Sequence, residues 1–121
     1  MKIYKHFRFA KWMRKARLTD SSLKKAIDEI KLGLVDADLG QGLLKKRVAL
    51  DGRGKRGSVR TIIAFRAKGR AIFIYGFAKN EKASISKNEE LQLKQLAKVY
   101  LSFTPLQISK VLKIGELIEV L

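Results

Sequence analysis

The sequence contains no cysteine, which excludes disulfides, thiolate nucleophiles and cysteine-bound metals. It also contains a single proline, which together with the apolar content argues against a disordered chain. Lys and Arg interrupt the apolar residues near the N-terminus, so we expect neither a secretion signal nor a membrane span. These absences favour a cytoplasmic protein that needs no cofactor and contacts no membrane.

Acidic residues are also scarce. The 121 residues include 27 Lys and Arg against 11 Asp and Glu, a formal net charge of +16. This excess predicts an anionic partner, but net charge alone does not distinguish nucleic acid from an anionic membrane surface or an acidic protein. Hydrophobic residues make up 46% of the chain. That is enough for one modest core, so we predict a single domain over residues 1–121.

The N-terminal part, residues 1–40, has mainly helical spacing after a short edge strand at residues 1–5. One helix is predicted from apolar residues at i, i+3, i+4 and i+7, namely Phe9, Trp12, Met13 and Ala16. Thr19 or Asp20 can cap a second helix, whose apolar stripe comprises Leu23, Ile27, Ile30 and Leu34. Two packed helices are the simplest outcome. The ring residues Phe7, Phe9 and Trp12 could either form a groove for a partner or be a core-facing helix surface.

The pattern changes to that of strands over residues 42–80, where segments 43–50, 59–66 and 71–78 are rich in β-branched or aromatic residues and separated by glycine-bearing turns. They predict a three-stranded antiparallel meander. Residues 86–121 return to helices: the capping box of Ser86 and Glu89 starts one at 87–102, and Thr104 starts another that ends at Gly115. The segment 116–121 is either a further strand or a tail that shields a basic surface.

Positive charge is densest between residues 45 and 60. This stretch holds seven cations against one acid, Asp51; the cations are Lys45, Lys46, Arg47, Arg53, Lys55, Arg56 and Arg60. Because alternate residues of a strand share a face, Lys45 and Arg47 should point the same way, and a hairpin partner can bring Arg60 beside them. Such a patch is either merely solvated or built for an anion. The intervening glycines favour the anion, since they let backbone N–H groups approach a phosphate.

RNA cleavage by a 2′-hydroxyl requires a group that takes its proton, cations that stabilise the charged phosphorane, and a group that protonates the leaving oxygen. The sole histidine, His6, lies among basic residues, where a surface or packing role is expected. The acidic residues show no metal-ligand spacing. Any catalysis is therefore expected from Lys, Arg or Tyr side chains.

Three segments carry a family resemblance: KKRVA at 45–49, GKRG at 54–57 with the following Arg60, and YGFAKNEK at 75–82. Together they resemble the core of the RelE/ParE toxin superfamily, within it the RelE-like branch close to the HigB-type toxins. The resemblance implies an α+β fold in which an N-terminal helical hairpin packs on a small antiparallel β-sheet, with C-terminal helices. It also implies a toxin of a type II toxin–antitoxin system that cleaves mRNA at the ribosome without a metal and is neutralised by a cognate acidic antitoxin.

The resemblance also assigns roles by position. Lys45 and Arg47 match the family's strand-borne base and phosphate stabiliser, and Arg60 matches the arginine that stabilises the transition state. The chain departs from the family pattern at Asn80, where an arginine is usual, and it lacks a tyrosine shortly afterwards. Lys79 or Lys82 can replace that arginine, and Tyr75 is the nearest aromatic hydroxyl. The predicted catalytic set is Lys45, Arg47, Arg60, Tyr75 and Lys79; the predicted RNA-binding set is Lys46, Arg53, Lys55, Arg56, Asn80 and Lys82.

Two other functions are compatible with the sequence. One is a ParE-like inhibitor that acts on a topoisomerase by protein contact, with the basic residues serving the antitoxin only. The other is a non-catalytic nucleic-acid-binding module. The oligomeric state is open in all three cases.

Overall fold

The computed structural model describes residues 1–50 and 57–121, and within them the chain forms four helices and six strands. The predicted RNA-binding residues Arg53, Lys55 and Arg56 lie outside the described residues. The elements in chain order are β1 (Lys2–His6), α1 (Phe7–Ala16), α2 (Asp20–Lys31), β2 (Ala37–Gly40), β3 (Leu43–Ala49), β4 (Ser58–Phe65), β5 (Arg70–Phe77), α3 (Lys87–Ser102), α4 (Pro105–Lys113) and β6 (Leu117–Glu119).

The strands form one mixed sheet in the order β2-β3-β4-β5-β1-β6. The predicted antiparallel meander of β3, β4 and β5 is confirmed, and so is the α+β class. The sheet is larger than predicted, and it is mixed because β1 runs parallel to β5. The prediction of an N-terminal edge strand is wrong, because β6 pairs with the other side of β1 and places it inside the sheet.

Helices cover both faces of the sheet. Leu44 and Ile63 belong to the face under α1 and α2, whereas Leu43 and Ile62 belong to the face under α3 and α4. Because alternate strand residues point to opposite faces, adjacent apolar residues in β3 and β4 are buried on opposite sides. Burial of each such side chain stabilises the fold by about 1.5–3 kcal/mol. Within residues 1–50 and 57–121, no helix is long and apolar enough to cross a membrane.

Side-chain caps set the helix starts. The Thr19 hydroxyl accepts a hydrogen bond from Ser22 N–H and begins α2. The capping box at Ser86 and Glu89 begins α3, and a second one begins α4; a cap of this kind contributes about 1 kcal/mol. Helix α2 ends at Lys31, so the prediction that Leu34 continues its apolar stripe is wrong, and that side chain is exposed.

The C-terminal segment is a strand, the first of the two alternatives. β6 pairs antiparallel with β1, and Phe7 N–H donates a 3.0 Å hydrogen bond to the Glu116 carbonyl just before it. The buried Tyr100 hydroxyl of α3 donates to Glu116 Oε2 at 2.7 Å, and burial is the main cause that raises the pKa of this phenol. Through these contacts, Glu116 connects the start of α1 with α3 just before β6 begins.

Candidate nucleic-acid interface

Three predicted catalytic cations lie on one face of the sheet, the face that α3 partly covers. Arg47 of β3 is directly opposite Arg60 of β4, and Lys45 lies two residues from Arg47, opposite Ile62. Directly opposite residues of an antiparallel pair have their β-carbons about 5 Å apart. We call Lys45, Arg47 and Arg60 the cationic face.

Little negative charge balances this cationic face. Asp36, just before β2, lies 3.8 Å from the Arg47 guanidinium and also accepts a hydrogen bond from Arg47 N–H. Lys45 and Arg60 form no ion pair within the described part of the chain. Like charges placed directly opposite each other destabilise a strand pair. The arrangement therefore favours an anion bound between them, which would remove that repulsion.

Lys46 occupies the opposite face, under α2. Its side chain is 10% exposed, and its ammonium lies 2.9 Å from Glu29 Oε1. The Thr61 hydroxyl donates to the Lys46 carbonyl on the same buried side. The structure therefore places Lys46 apart from Lys45 and Arg47, because the alternation that groups those two residues turns Lys46 inward. Its RNA-binding role stays a prediction that this placement does not favour.

Tyr75 extends the cationic face by one strand. It lies opposite Ile62, which in turn lies opposite Lys45, so Lys45 and Tyr75 stand two strand spacings apart, about 10 Å. Lys82 donates hydrogen bonds to Tyr75 Oη at 3.2 Å and to Glu89 Oε2 at 2.5 Å. The hydrogen bond to Glu89 is the main cause that raises the pKa of Lys82, and the hydrogen bond to Tyr75 is the second. In return, Lys82 lowers the pKa of Glu89.

Lys79 and Asn80 lie in the turn that follows β5, and both are exposed. Phe77, two residues before Lys79, is directly opposite Arg60. Lys79 and Asn80 therefore lie at the same end of the sheet as Arg60. Neither side chain forms a hydrogen bond or ion pair with residues 1–50 or 57–121.

A cleft of about 860 Å³ opens beside β5 and was not predicted from the sequence. β1 ends at His6, and its last register partner on β5 is Phe73, whereas β5 continues to Phe77. Residues of α1 and α3 line the space beyond the end of β1. We call this the β5 cleft; its lining includes His6, Trp12, Tyr75, Glu89, Gln92 and Glu116.

His6 is one of the residues that line the β5 cleft. Its Nδ1 accepts a 3.1 Å hydrogen bond from Arg8 N–H and so caps α1. Burial is the main cause that lowers the pKa of this imidazole, partly opposed by Glu116. A lowered pKa keeps His6 neutral at physiological pH, with its proton on Nε2.

Comparison with known families gives a match over nearly the whole chain. A family model described as the RelE toxin of the RelE / RelB toxin-antitoxin system matches residues 1–120. No curated protein matches the chain significantly. The match covers the cationic face, the β5 cleft and all the helices and strands described above.

Proposed function

The chain belongs to the RelE toxin family of toxin–antitoxin systems, and from this membership we propose that it is a metal-independent endoribonuclease. It cleaves messenger RNA at the ribosome in the cytoplasm and so inhibits translation. The HigB-type branch stays a prediction. A cognate acidic antitoxin neutralises the toxin, because a chain of net charge +16 attracts an anionic partner that can fold upon it.

The observation that carries the proposal is the opposition of Arg47 and Arg60 across β3 and β4. Two guanidiniums on neighbouring strands can donate several hydrogen bonds to one phosphate, and their charge becomes most favourable when the phosphorane carries extra negative charge. Asp36 engages only Arg47 among these cations. Arg60 therefore remains the principal stabiliser of the transition state in this proposal.

The proton transfers fall to Lys45 and Tyr75. Lys45 takes the proton of the 2′-hydroxyl while the 2′-oxygen attacks phosphorus. The bond from phosphorus to the 5′-oxygen breaks, and Tyr75 gives its phenolic proton to that oxygen. Lys82 occupies a lone pair of Tyr75 Oη, which leaves the phenolic proton free to be donated elsewhere. The products are a 2′,3′-cyclic phosphate and a 5′-hydroxyl.

The remaining cations bind the flanking RNA. Lys79 stands near the Arg60 end of the sheet and supplements Arg60, and the neighbouring Asn80 offers an amide to the backbone. Arg53, Lys55 and Arg56, on the basic connection between β3 and β4, bind phosphates in this proposal. Lys82 contributes through its hydrogen bond to Tyr75.

Primer extension on ribosomes programmed with a defined message tests the function. The wild-type protein should produce new cleavage ends, and Arg60→Ala should produce at least about 100-fold fewer. Arg66→Ala is the matched control, because Arg66 is an exposed arginine directly after the same strand. The absence of cleavage ends with the wild type would defeat the enzyme proposal. Loss of DNA supercoiling before translation fails in cells would instead favour a topoisomerase inhibitor.

A further inference from the structure

The β5 cleft has a flat aromatic wall. Trp12 of α1 lies so close to β5 that a β-carbon at Gly76 would stand 2.2 Å from its Cζ3 atom. The indole is therefore pressed against the strand backbone, and it is only partly buried. Phe7 and Tyr75, also partly buried, contribute further rings to the lining. Partly exposed rings of this kind are the surfaces on which unpaired bases stack.

The charge of the β5 cleft differs from that of the cationic face. Its lining includes three carboxylates, Glu81, Glu89 and Glu116, against two permanent cations, Arg8 and Lys82. Lys82 is already paired with Glu89, and His6 is neutral. A phosphate would be repelled here, whereas a neutral, planar group with hydrogen-bonding edges would fit. The two neighbouring sites therefore suit the two chemically different parts of a nucleotide.

We propose that the β5 cleft is a nucleobase pocket, which receives one base of the RNA strand whose phosphate lies on the cationic face. This inference rests on the proposed ribonuclease function and adds the site that selects the sequence to be cut. Gln92 of α3 is the reading residue. Its amide offers both donors and an acceptor, it lines the cleft, and it makes no hydrogen bond to other described residues.

Tyr75 joins the two sites. On one side it continues the row of Lys45 and Ile62 across the sheet; on the other it is part of the cleft lining. A nucleotide can therefore place its phosphate by the strands and turn its base past Tyr75 into the cleft. The cleft volume, about 860 Å³, lies within the range of pockets that hold small organic ligands.

Trp12 provides a direct test, because it is the only tryptophan in the chain. Adenosine, guanosine, cytidine and uridine, which carry no phosphate, are titrated separately into the purified protein while Trp12 fluorescence is recorded. At least one nucleoside should change the fluorescence saturably. Gln92→Ala should weaken that binding by roughly 3- to 10-fold, the loss of one or two hydrogen bonds.

Two controls make the result specific. Gln95→Ala removes another exposed glutamine of the same helix that is not in the cleft lining, and it should leave nucleoside affinity unchanged. Arg60→Ala should also leave it unchanged, because a nucleoside has no phosphate. Equal losses in Gln92→Ala and Gln95→Ala, or no saturable response to any nucleoside, would overturn the pocket.

The two proposals fail separately. Nucleoside binding is measured without any cleavage. A protein that binds a nucleoside but cuts no message would therefore support the nucleobase pocket and contradict the proposed ribonuclease activity. If cleavage occurs, Gln92→Ala should change which sequences are cut while Gln95→Ala does not. An unchanged cleavage pattern in Gln92→Ala would contradict its reading role.

Discussion

The indole of Trp12 lies against the backbone of Gly76, 64 positions later in the sequence, and no side chain separates them. Glycine at this position lets a helix approach the strand closely enough for the ring to become the wall of the β5 cleft. The same contact links α1 to the far end of β5, beyond the last residue that β1 reaches.

Gly76→Ala should lower the free energy of unfolding by about 1–3 kcal/mol, because a methyl group must displace a packed ring. Urea unfolding followed by circular dichroism measures this. Gly69→Ala is the control, since its nearest neighbour is the side chain of Arg66 at 3.1 Å, which can move. Equal losses in the two variants would contradict the close packing of Trp12.

Lys45→Ala and Lys46→Ala should have opposite effects, although the residues are adjacent. Lys46→Ala leaves Glu29 without its partner and should lower the free energy of unfolding by about 1–3 kcal/mol with little change in RNA cleavage. Lys45→Ala should keep stability and lose cleavage. Unfolding curves and primer extension on both variants check this. A loss of cleavage in Lys46→Ala at full stability would refute the inward placement of Lys46.

Arg60→Ala should leave the free energy of unfolding unchanged or raise it by up to about 1 kcal/mol, because it removes a like-charge opposition with Arg47. Urea unfolding at low ionic strength, where repulsion is least screened, is the suitable measurement. A clear loss of stability would mean that Arg60 is a structural residue, and its effect on cleavage could then no longer be ascribed to the phosphate.

Stability should fall in mild acid because of His6. Its folded pKa is lowered from 6.5, so the unfolded chain takes up the proton first. The loss therefore begins as pH drops through about 6.5 and continues to the lower folded value. Protonation also removes the Nδ1 acceptor that caps α1. His6→Asn keeps a cap acceptor without titrating, so its unfolding free energy should vary less between pH 8 and pH 5. Identical profiles would exclude His6 as the cause.

Antitoxin binding should weaken as salt increases. The toxin carries a net charge of +16, and exposed charges are screened over about 10 Å at 0.1 M salt and about 3 Å at 1 M. Isothermal titration with the cognate antitoxin at several salt concentrations measures the effect. An affinity that does not depend on ionic strength would contradict an electrostatic attachment.

Local signals in the sequence predicted the helices well. The hydroxyls of Ser86 and Thr104 and their partners three residues later lie within one turn, so α3 and the start of α4 follow from the sequence alone. The meander was similarly accessible, because its strands are consecutive. The position of β1 inside the sheet could not be predicted in this way, because β1 pairs with β6, a strand more than 110 residues later.

The candidate site was predicted in part for the same reason. Strand alternation within the predicted hairpin placed Lys45, Arg47 and Arg60 together, and the same alternation places Lys46 on the other face of the sheet. The β5 cleft combines His6, Trp12 and Gln92 from elements far apart in sequence, and no local pattern links them. The one available signal was Gly76, a glycine inside an otherwise bulky strand, which often indicates close approach of another group.

The pairing of β1 with β6 has a consequence for biosynthesis. A chain translated only as far as α4 already contains β1 and β5, but one side of β1 still has exposed backbone groups, because its second neighbour spans residues 117–119. Unpaired strand edges are where partly made chains mispair. The nascent protein therefore keeps an open edge beside β1 until residues 117–119 have left the exit tunnel.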